Sequence, residues 1–295
     1  MNKTDKNNYL IIDWGTSNFR AFLMSADHQL IQTHQESMGL LQVKNNNFAH
    51  ALQTILQHWL IDYATLPVYM AGMVGSANGW HNIDYIQTPT NAQKLKQGAY
   101  SFTLPWGAAA VITPGVKHSL NPASFDVMRG EEVQILGLSK LTHQNNYMAI
   151  LPGTHSKHVT VENGQIIDLK TYMTGELFAI ITQHSILGKN LPPQQTSEQM
   201  FLKGVMQSTA GELTHLLFLA RTHLLFNNIN DEHIHEFISG LLIGHELQNI
   251  KGELMHFVGG ESLCQRYLAA SNALSIKAKM VDGDTCFLNG MAQLI

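Results

Sequence analysis

An acid, a glycine and three small polar residues follow closely on one another in "LIIDWGTSNFRAFLM": Asp13, Gly15, Thr16, Ser17 and Asn18. A comparable set, Gly153, Thr154, His155 and Ser156, stands in "AILPGTHSKHV". Both sets lie between apolar runs of strand length, so each reads as a tight turn joining two adjacent strands. Consecutive backbone N–H groups in such a turn make a concave anion site, and glycine lets the backbone approach phosphate oxygens closely. Two such turns facing one ligand would grip a polyphosphate from both sides. Asp13, at a strand end, is placed to hold a hydrated Mg²⁺. Gly-Thr-Ser turns are also ordinary hairpin chemistry, and it is their recurrence that favours a function.

Three further stretches carry reactive or recognising groups. In "FDVMRGEEVQILG", Asp126, Arg129, Glu131 and Glu132 precede an apolar helical run. Acids there complement a helix dipole or supply a base, while Arg129 suits a carboxylate ligand or a pairing with the acids beside it. "YMAGMVGSANGW" reads as a strand and then a Gly- and Ser-rich loop containing Gly75 and Ser76 and ending in Trp80, a composition suited to a sugar-pocket wall. In "MHFVGGESLCQRYL", Gly259-Gly260 breaks a buried strand from a helix starting near Glu261, leaving bare backbone for the adenine and ribose of a nucleotide. The sixteen histidines form no ligand set, and Cys264 and Cys286 lack metal-motif spacing and read as reduced packing residues.

The elements that must position these groups repeat. Strands are expected at Tyr9–Asp13, Phe19–Met24 and Leu30–His34, followed by a helix from Phe48. Near the middle, "YMAILPGTHSKHVTVENGQIIDLKTYM" runs strand, turn, strand, Asn163-Gly164 hairpin, strand, and a helix follows from about Gly175. This is a duplication of architecture rather than of residues. At 295 residues and 44% hydrophobic content the chain can bury a sizeable core. A net charge of −4 with 18 Lys and Arg gives no basic field for nucleic acid or an anionic membrane, so small molecules are the expected partners. No apolar run approaches a membrane span of roughly 20 residues and no signal peptide is visible, which sets a cytoplasmic expectation. A homodimer is the base-rate oligomer.

"IDWGTSNFRAFL", "GMVGSANGW", "MRGEEVQILG", "LPGTHSKHV", "YMTGELF", "HSILG" and "VGGES", in this order, resemble the sugar kinase, actin and heat-shock ATPase superfamily, and more closely the 2-dehydro-3-deoxygalactonokinase family. The resemblance implies an α/β fold of two ribonuclease H-like domains around a central ATP cleft. Residues 1–142 would carry the first phosphate turn and a sugar-acid pocket, and 143–295 the second turn and the adenosine site, with the closing helix packing back toward the first domain. The implied reaction moves the γ-phosphoryl of ATP, with Mg²⁺, to the terminal hydroxyl of 2-dehydro-3-deoxy-D-galactonate. ATP would be held by Asp13, Gly15, Thr16, Ser17, Asn18, Gly153, Thr154, His155, Gly259 and Gly260, with Asp13 also serving the metal. Gly75, Ser76, Trp80, Arg129, Thr174 and Glu176 would take the sugar acid. Glu131 is the first choice of general base, then Glu132, then Asp126. A kinase of a related sugar acid, or a nucleotide or polyphosphate hydrolase on the same fold, remains the alternative. His158 stands where the family pattern has Trp, and "HNIDYIQTPT" after Trp80 also departs from it.

Overall fold

The computed structural model describes residues 7–121, 124–250 and 254–295. It divides into two compact units: unit 1 holds Met1–Asn145, Val161–Leu169 and Asp284–Ile295, and unit 2 holds Asn146–Thr160 and Lys170–Gly283.

Unit 1 starts with β1 (Tyr9–Trp14) and β2 (Phe19–Met24), both buried along nearly their whole length, and β3 (Leu30–Glu36), which is largely exposed. These strands are antiparallel, with Asp13 opposite Arg20 and Trp14 opposite Phe19. Helix α1 (Phe48–Trp59) begins where the Asn47 side chain accepts the His50 N–H at 3.2 Å. Its buried residues, Phe48, Ala51, Leu52, Ile55, Leu56 and Trp59, recur at helical spacing and form one apolar stripe. Then come β4 (Val68–Gly72), β5 (Ile86–Gln87), α2 (Ala92–Gln97), β6 (Tyr100–Thr103), β7 (Ala109–Ile112), β8 (Val116–Asn121), β9 (Ser124–Met128) and α3 (Glu131–Thr142). One sheet has the order β3-β2-β1-β4-β7-β6 and a second has β5-β8-β9. Trp14 packs edge-on against Phe19 at 5.1 Å and Phe48 at 5.5 Å between ring centroids. Burying such a ring is worth roughly 1.5–3 kcal/mol, against about 0.2–1 kcal/mol for a cross-strand pair. Packing beneath the β1–β2 turn therefore anchors it more than pairing does.

A third sheet starts from β10 (Tyr147–Leu151), β11 (Ser156–Glu162) and β12 (Gln165–Tyr172), of which residues Val161–Leu169 are counted in unit 1 and the others in unit 2. Asn163 and Gly164 both have positive φ, 51° and 71°, as a two-residue hairpin turn requires. Helices α4 (Thr174–His184), α5 (Glu198–Gln207), α6 (Leu213–Leu225) and α7 (Ile234–Leu247) follow, then β13 (Met255–Gly259), α8 (Glu261–Ala273), β14 (Ala278–Asp282) and α9 (Gly283–Leu294). The sheet order is β12-β11-β10-β13-β14, with β10, β13 and β14 parallel. It repeats the β3-β2-β1-β4 order of the first sheet, where β1 and β4 are parallel. Helix α7 is apolar on nearly every side because α4, α5, α6 and α8 all pack on it. Residues of α9 from Asp284 onward complete unit 1: the Phe287 ring lies 6.2 Å from Phe22, and a Cβ on Gly137 would fall 1.7 Å from the Cys286 carbonyl oxygen. Among the described residues no helix is long and apolar enough to cross a membrane, and Cys264 and Cys286 are buried free thiols.

Candidate active site

The first turn leaves the carboxyl edge of β1. The Gly15 N–H donates to the Asn18 carbonyl at 2.9 Å, while the carbonyls of Gly15, Thr16 and Ser17 accept from the N–H groups of Leu40, Leu41 and Gly39. The turn's carbonyls are thus drawn toward the 39–41 segment, and Thr16, Ser17 and Asn18 are exposed. Behind them Asp13 is paired with Arg20, which also pairs with Asp284 at the start of α9. Arg20 and Asp284 escape a reading of the sequence for ligands. Arg20 was detectable only as the residue opposite Asp13 once the β1–β2 register is set.

Next to Asp13, at the end of the parallel neighbour β4, stands Gly72 with φ +94°. A Cβ there would meet the Trp14 carbonyl oxygen at 2.8 Å and Asp13 Oδ1 at 3.0 Å. Gly130, φ +111°, comes equally close to Gly72, since its own Cβ would lie 3.3 Å from the Gly72 Cα. The start of α3 is thereby brought to the carboxyl ends of β1 and β4, the edge where open α/β sheets bind ligands. Glu131 is half-buried and accepts the Arg129 N–H at 2.9 Å. Glu132 is 0% exposed and accepts the Gly130 N–H on both oxygens, at 2.8 and 2.9 Å. Burial, then the charge of Glu131, pushes the Glu132 carboxyl up to about 8. Asp126 lies mid-strand in β9 opposite His118, and its carboxylate accepts the Val127 N–H at 2.8 Å.

Arg129 is only 7% exposed. Its Nη2 donates to the Ile83 carbonyl at 2.7 Å and its guanidinium lies 4.1 Å over the Tyr85 ring, but Nε and Nη1 have no hydrogen-bond partner among the described residues. Gly75 makes room for it, because a Cβ there would be 3.0 Å from Nη1. The buried hydroxyls of Ser76, beside Gly75, and of Thr113, whose backbone carbonyl would lie 3.5 Å from such a Cβ, are also unpartnered. Trp80 is placed differently from its neighbours: it stacks on Phe48 at 6.2 Å and meets Trp14 and Phe102 edge-on, against the core of this unit.

In unit 2 the Gly153–His155 turn joins β10 to β11, with Thr154 and His155 exposed. The start of α4 lies on it: the Glu176 N–H donates to the Thr154 carbonyl at 3.0 Å, Glu176 pairs with His155, and a Cβ on Gly175 would be 2.5 Å from the Gly153 carbonyl oxygen. Thr174 and Glu176 therefore belong to the surroundings of the second turn. Ser156 turns inward and donates to Glu246 of α7 at 2.7 Å. His158 Nε2 lies within hydrogen-bond distance of the same carboxylate, at 2.7 Å, and its ring lies 4.4 Å from that of Tyr172. Next to the turn opens a cavity of about 620 Å³ with Gly153, Thr154, Phe178, Ile243, Leu263 and Tyr267 in its wall. Gly259 and Gly260 precede α8, whose first two turns supply Leu263 and Tyr267, and a Cβ on Gly260 would meet open space. Glu246 sits in the plain apolar stretch "LLIGHEL", which carries no sequence signal for a site.

The repeated strand order is that of the sugar kinase and actin-like ATPase fold, and the relatives of this chain make it a carbohydrate kinase. A family model described as 2-keto-3-deoxy-galactonokinase matches residues 13–294, and the chain belongs to that family. It is 35% identical over 295 residues to the 2-dehydro-3-deoxygalactonokinase of Escherichia coli K12, covering 97% of each chain. A crystal structure of a candidate 2-dehydro-3-deoxygalactonokinase from Sinorhizobium meliloti superposes with a TM-score of 0.88 at 27% identity, covering 97% of both chains. The likeness to component A of the (R)-2-hydroxyglutaryl-CoA dehydratase of Acidaminococcus fermentans concerns the fold alone, with a TM-score of 0.52 at 11% identity over 96% of this chain and 95% of that one.

Proposed function

We propose that this protein transfers the γ-phosphoryl of ATP to the terminal hydroxyl of 2-dehydro-3-deoxy-D-galactonate, giving ADP and the 6-phosphate, as a step in galactonate breakdown. The observation that carries the reading is Arg129, a buried cation with two nitrogens unspent beside Gly75 and Ser76. Unsatisfied buried donors cost about 1–3 kcal/mol each, a cost offset once the carboxylate of an acid sugar occupies the site. Unit 1 in this reading takes the sugar acid and offers the first phosphate turn. Unit 2 offers the second turn and houses the adenosine end in the 620 Å³ cavity. Thr174 and Glu176 support the second turn rather than touching the sugar.

Glu131 is the general base in this proposal. It takes the proton of the attacking hydroxyl as the new O–P bond forms and the bond to the β-phosphate oxygen breaks, leaving ADP. Phosphoryl transfer asks chiefly for positioning and charge neutralisation. Mg²⁺, when bound, supplies part of that neutralisation. No three His, Cys, Asp or Glu side chains converge among the described residues. Mg²⁺ is usually held by one or two carboxylates together with substrate phosphates and water, and Asp13 fits that smaller role.

The test is ADP release with and without 2-dehydro-3-deoxygalactonate, and with its gluconate epimer. Release that depends on the galactonate compound supports the reading; equal release without any sugar acid would make the protein a nucleotide hydrolase. Arg129→Lys keeps the charge and loses the planar donor array. Its expected effect is a rise in the sugar-acid KM of roughly tenfold or more with the ATP constant unchanged. Unchanged sugar-acid KM with lowered stability would return Arg129 to a purely structural role.

A further inference from the structure

Glu246 is 4% exposed, and all of its acceptor capacity is in use. Oε1 accepts from Ser156 Oγ and is bonded to His158 Nε2, both at 2.7 Å. Oε2 accepts from Tyr267 OH at 2.7 Å and from Thr174 Oγ1. Burial pushes this carboxyl up, but hydrogen bonds from His158, Thr174 and Ser156, with the attraction of His158, outweigh it and hold Glu246 below its ordinary value. A carboxylate has about four lone-pair sites and all four are filled. A buried charge satisfied in this way fixes the groups around it, because moving any one leaves a costly unpaired atom.

The placement of those groups gives the arrangement its meaning. Ser156 directly follows the Gly153–His155 turn, and Thr174 opens the helix whose Gly175 and Glu176 rest on it. Thr174 and Tyr267 also stand in the wall of the 620 Å³ cavity. One carboxylate thus ties the strand leaving the turn, the helix lying on it and the cavity wall from α8. The hydroxyls of Ser156 and Thr174 are directed at Glu246, which leaves the turn's exposed backbone and Thr154 to meet an anion.

We propose that Glu246, together with His158, is a positioning residue for the phosphoryl donor: it holds the second turn and the adjoining cavity wall in the shape that binds ATP, without touching ATP itself. The inference rests on the reading that this turn takes ATP phosphate.

Steady-state ADP release by the full chain tests it. Glu246→Gln is nearly isosteric, but its amide nitrogen replaces one oxygen and faces two donors. Hydrogen bonds to a charged group are worth about 1.5–3 kcal/mol, so we expect the ATP KM to rise roughly tenfold or more while the sugar-acid KM stays unchanged. Wild-type ATP and sugar-acid constants in the folded variant, with only a lowered Tm, would overturn the proposal. If Glu246→Gln does not fold, Tyr267→Phe carries the same test by removing one donor to Oε2, with a several-fold rise in the ATP KM expected and an unchanged constant overturning it. A separate variant checks the premise. A Cβ on Gly153 would have nothing nearer than His155 O at 3.9 Å, so Gly153→Asp fits the fold while placing a negative charge at the turn. An unchanged ATP KM in Gly153→Asp removes the phosphate turn and the inference with it. A raised ATP KM there, beside wild-type constants in Glu246→Gln, removes the inference alone.

Discussion

Glu131 and Glu132 are neighbours in sequence and differ in surroundings. Glu132 is wholly buried with its carboxyl near 8, so at neutral pH it is mostly the neutral acid; Glu131 is only half-buried. Glu131→Gln should lower turnover by about 10²–10⁴-fold with little change in either KM, as for loss of a general base. Glu132→Gln, which resembles the neutral acid, should retain turnover. It should also reveal a stability effect. Between an ordinary carboxyl value of 4.5 and the folded value of about 8, the native protein keeps a proton that the unfolded chain has released. Native stability therefore falls as pH rises through that window. The Gln variant lacks this fall, so its Tm advantage over the wild type should widen from pH 5 to pH 8. Loss of turnover in Glu132→Gln but not in Glu131→Gln would exchange the two roles. Asp13, Gly15 to Asn18, Gly75, Ser76 and Arg129 to Glu132 could be proposed from sequence because they lie in short runs with local meaning. Glu246 could not, since Ser156, His158 and Thr174 are 90, 88 and 72 residues away along the chain.

Two glycines tie the proposed substrate sites to the approach of an element rather than to a reacting group. A Cβ on Gly75, in the loop after β4, would press on Arg129 Nη1 at 3.0 Å, and one on Gly175, at the start of α4, would meet the Gly153 carbonyl at 2.5 Å. Gly75→Ala should therefore raise the sugar-acid KM and spare ATP, while Gly175→Ala should raise the ATP KM and lose about 1–3 kcal/mol of stability through overpacking against rigid backbone. Initial-rate measurements varying each substrate in turn check this, and an identical effect of both variants on both constants would refute it. At this scale the sequence is informative where strands are long and bounded by turn residues. The Phe19–Met24 strand is read with its bounds, and the Asn163-Gly164 hairpin has the positive φ values its residue types foretell. The β5–β9 region is not read, because strands such as β5, of two residues, and β6 and β7, of four, carry too little periodicity and find partners by tertiary contact. Helix α7 is likewise obscured, being apolar on nearly every side and so without a clear amphipathic stripe.

On the scale of the whole molecule, unit 1 is assembled from three separate stretches of chain. Phe287 of α9 is 1% exposed and faces Phe22, so Phe287→Ala should cost about 3–5 kcal/mol. All four tryptophans, Trp14, Trp59, Trp80 and Trp106, lie in unit 1, which makes intrinsic fluorescence a reporter of that unit. Its thermal transition should move down strongly in Phe287→Ala; a transition at the wild-type temperature would deny α9 its part in this core. The same feature bears on biosynthesis. The first stretch ends at Asn145 and the Asp284–Ile295 stretch is translated only after all of unit 2. At about 5–20 residues per second, the ribosome takes roughly seven to thirty seconds to make the intervening chain. Throughout that delay Phe22 and the groove at Gly137 are nascent surfaces awaiting their partner. The half of the protein that is synthesised first is the half completed last, and its waiting groove is the surface a ribosome-bound chaperone would have to shelter.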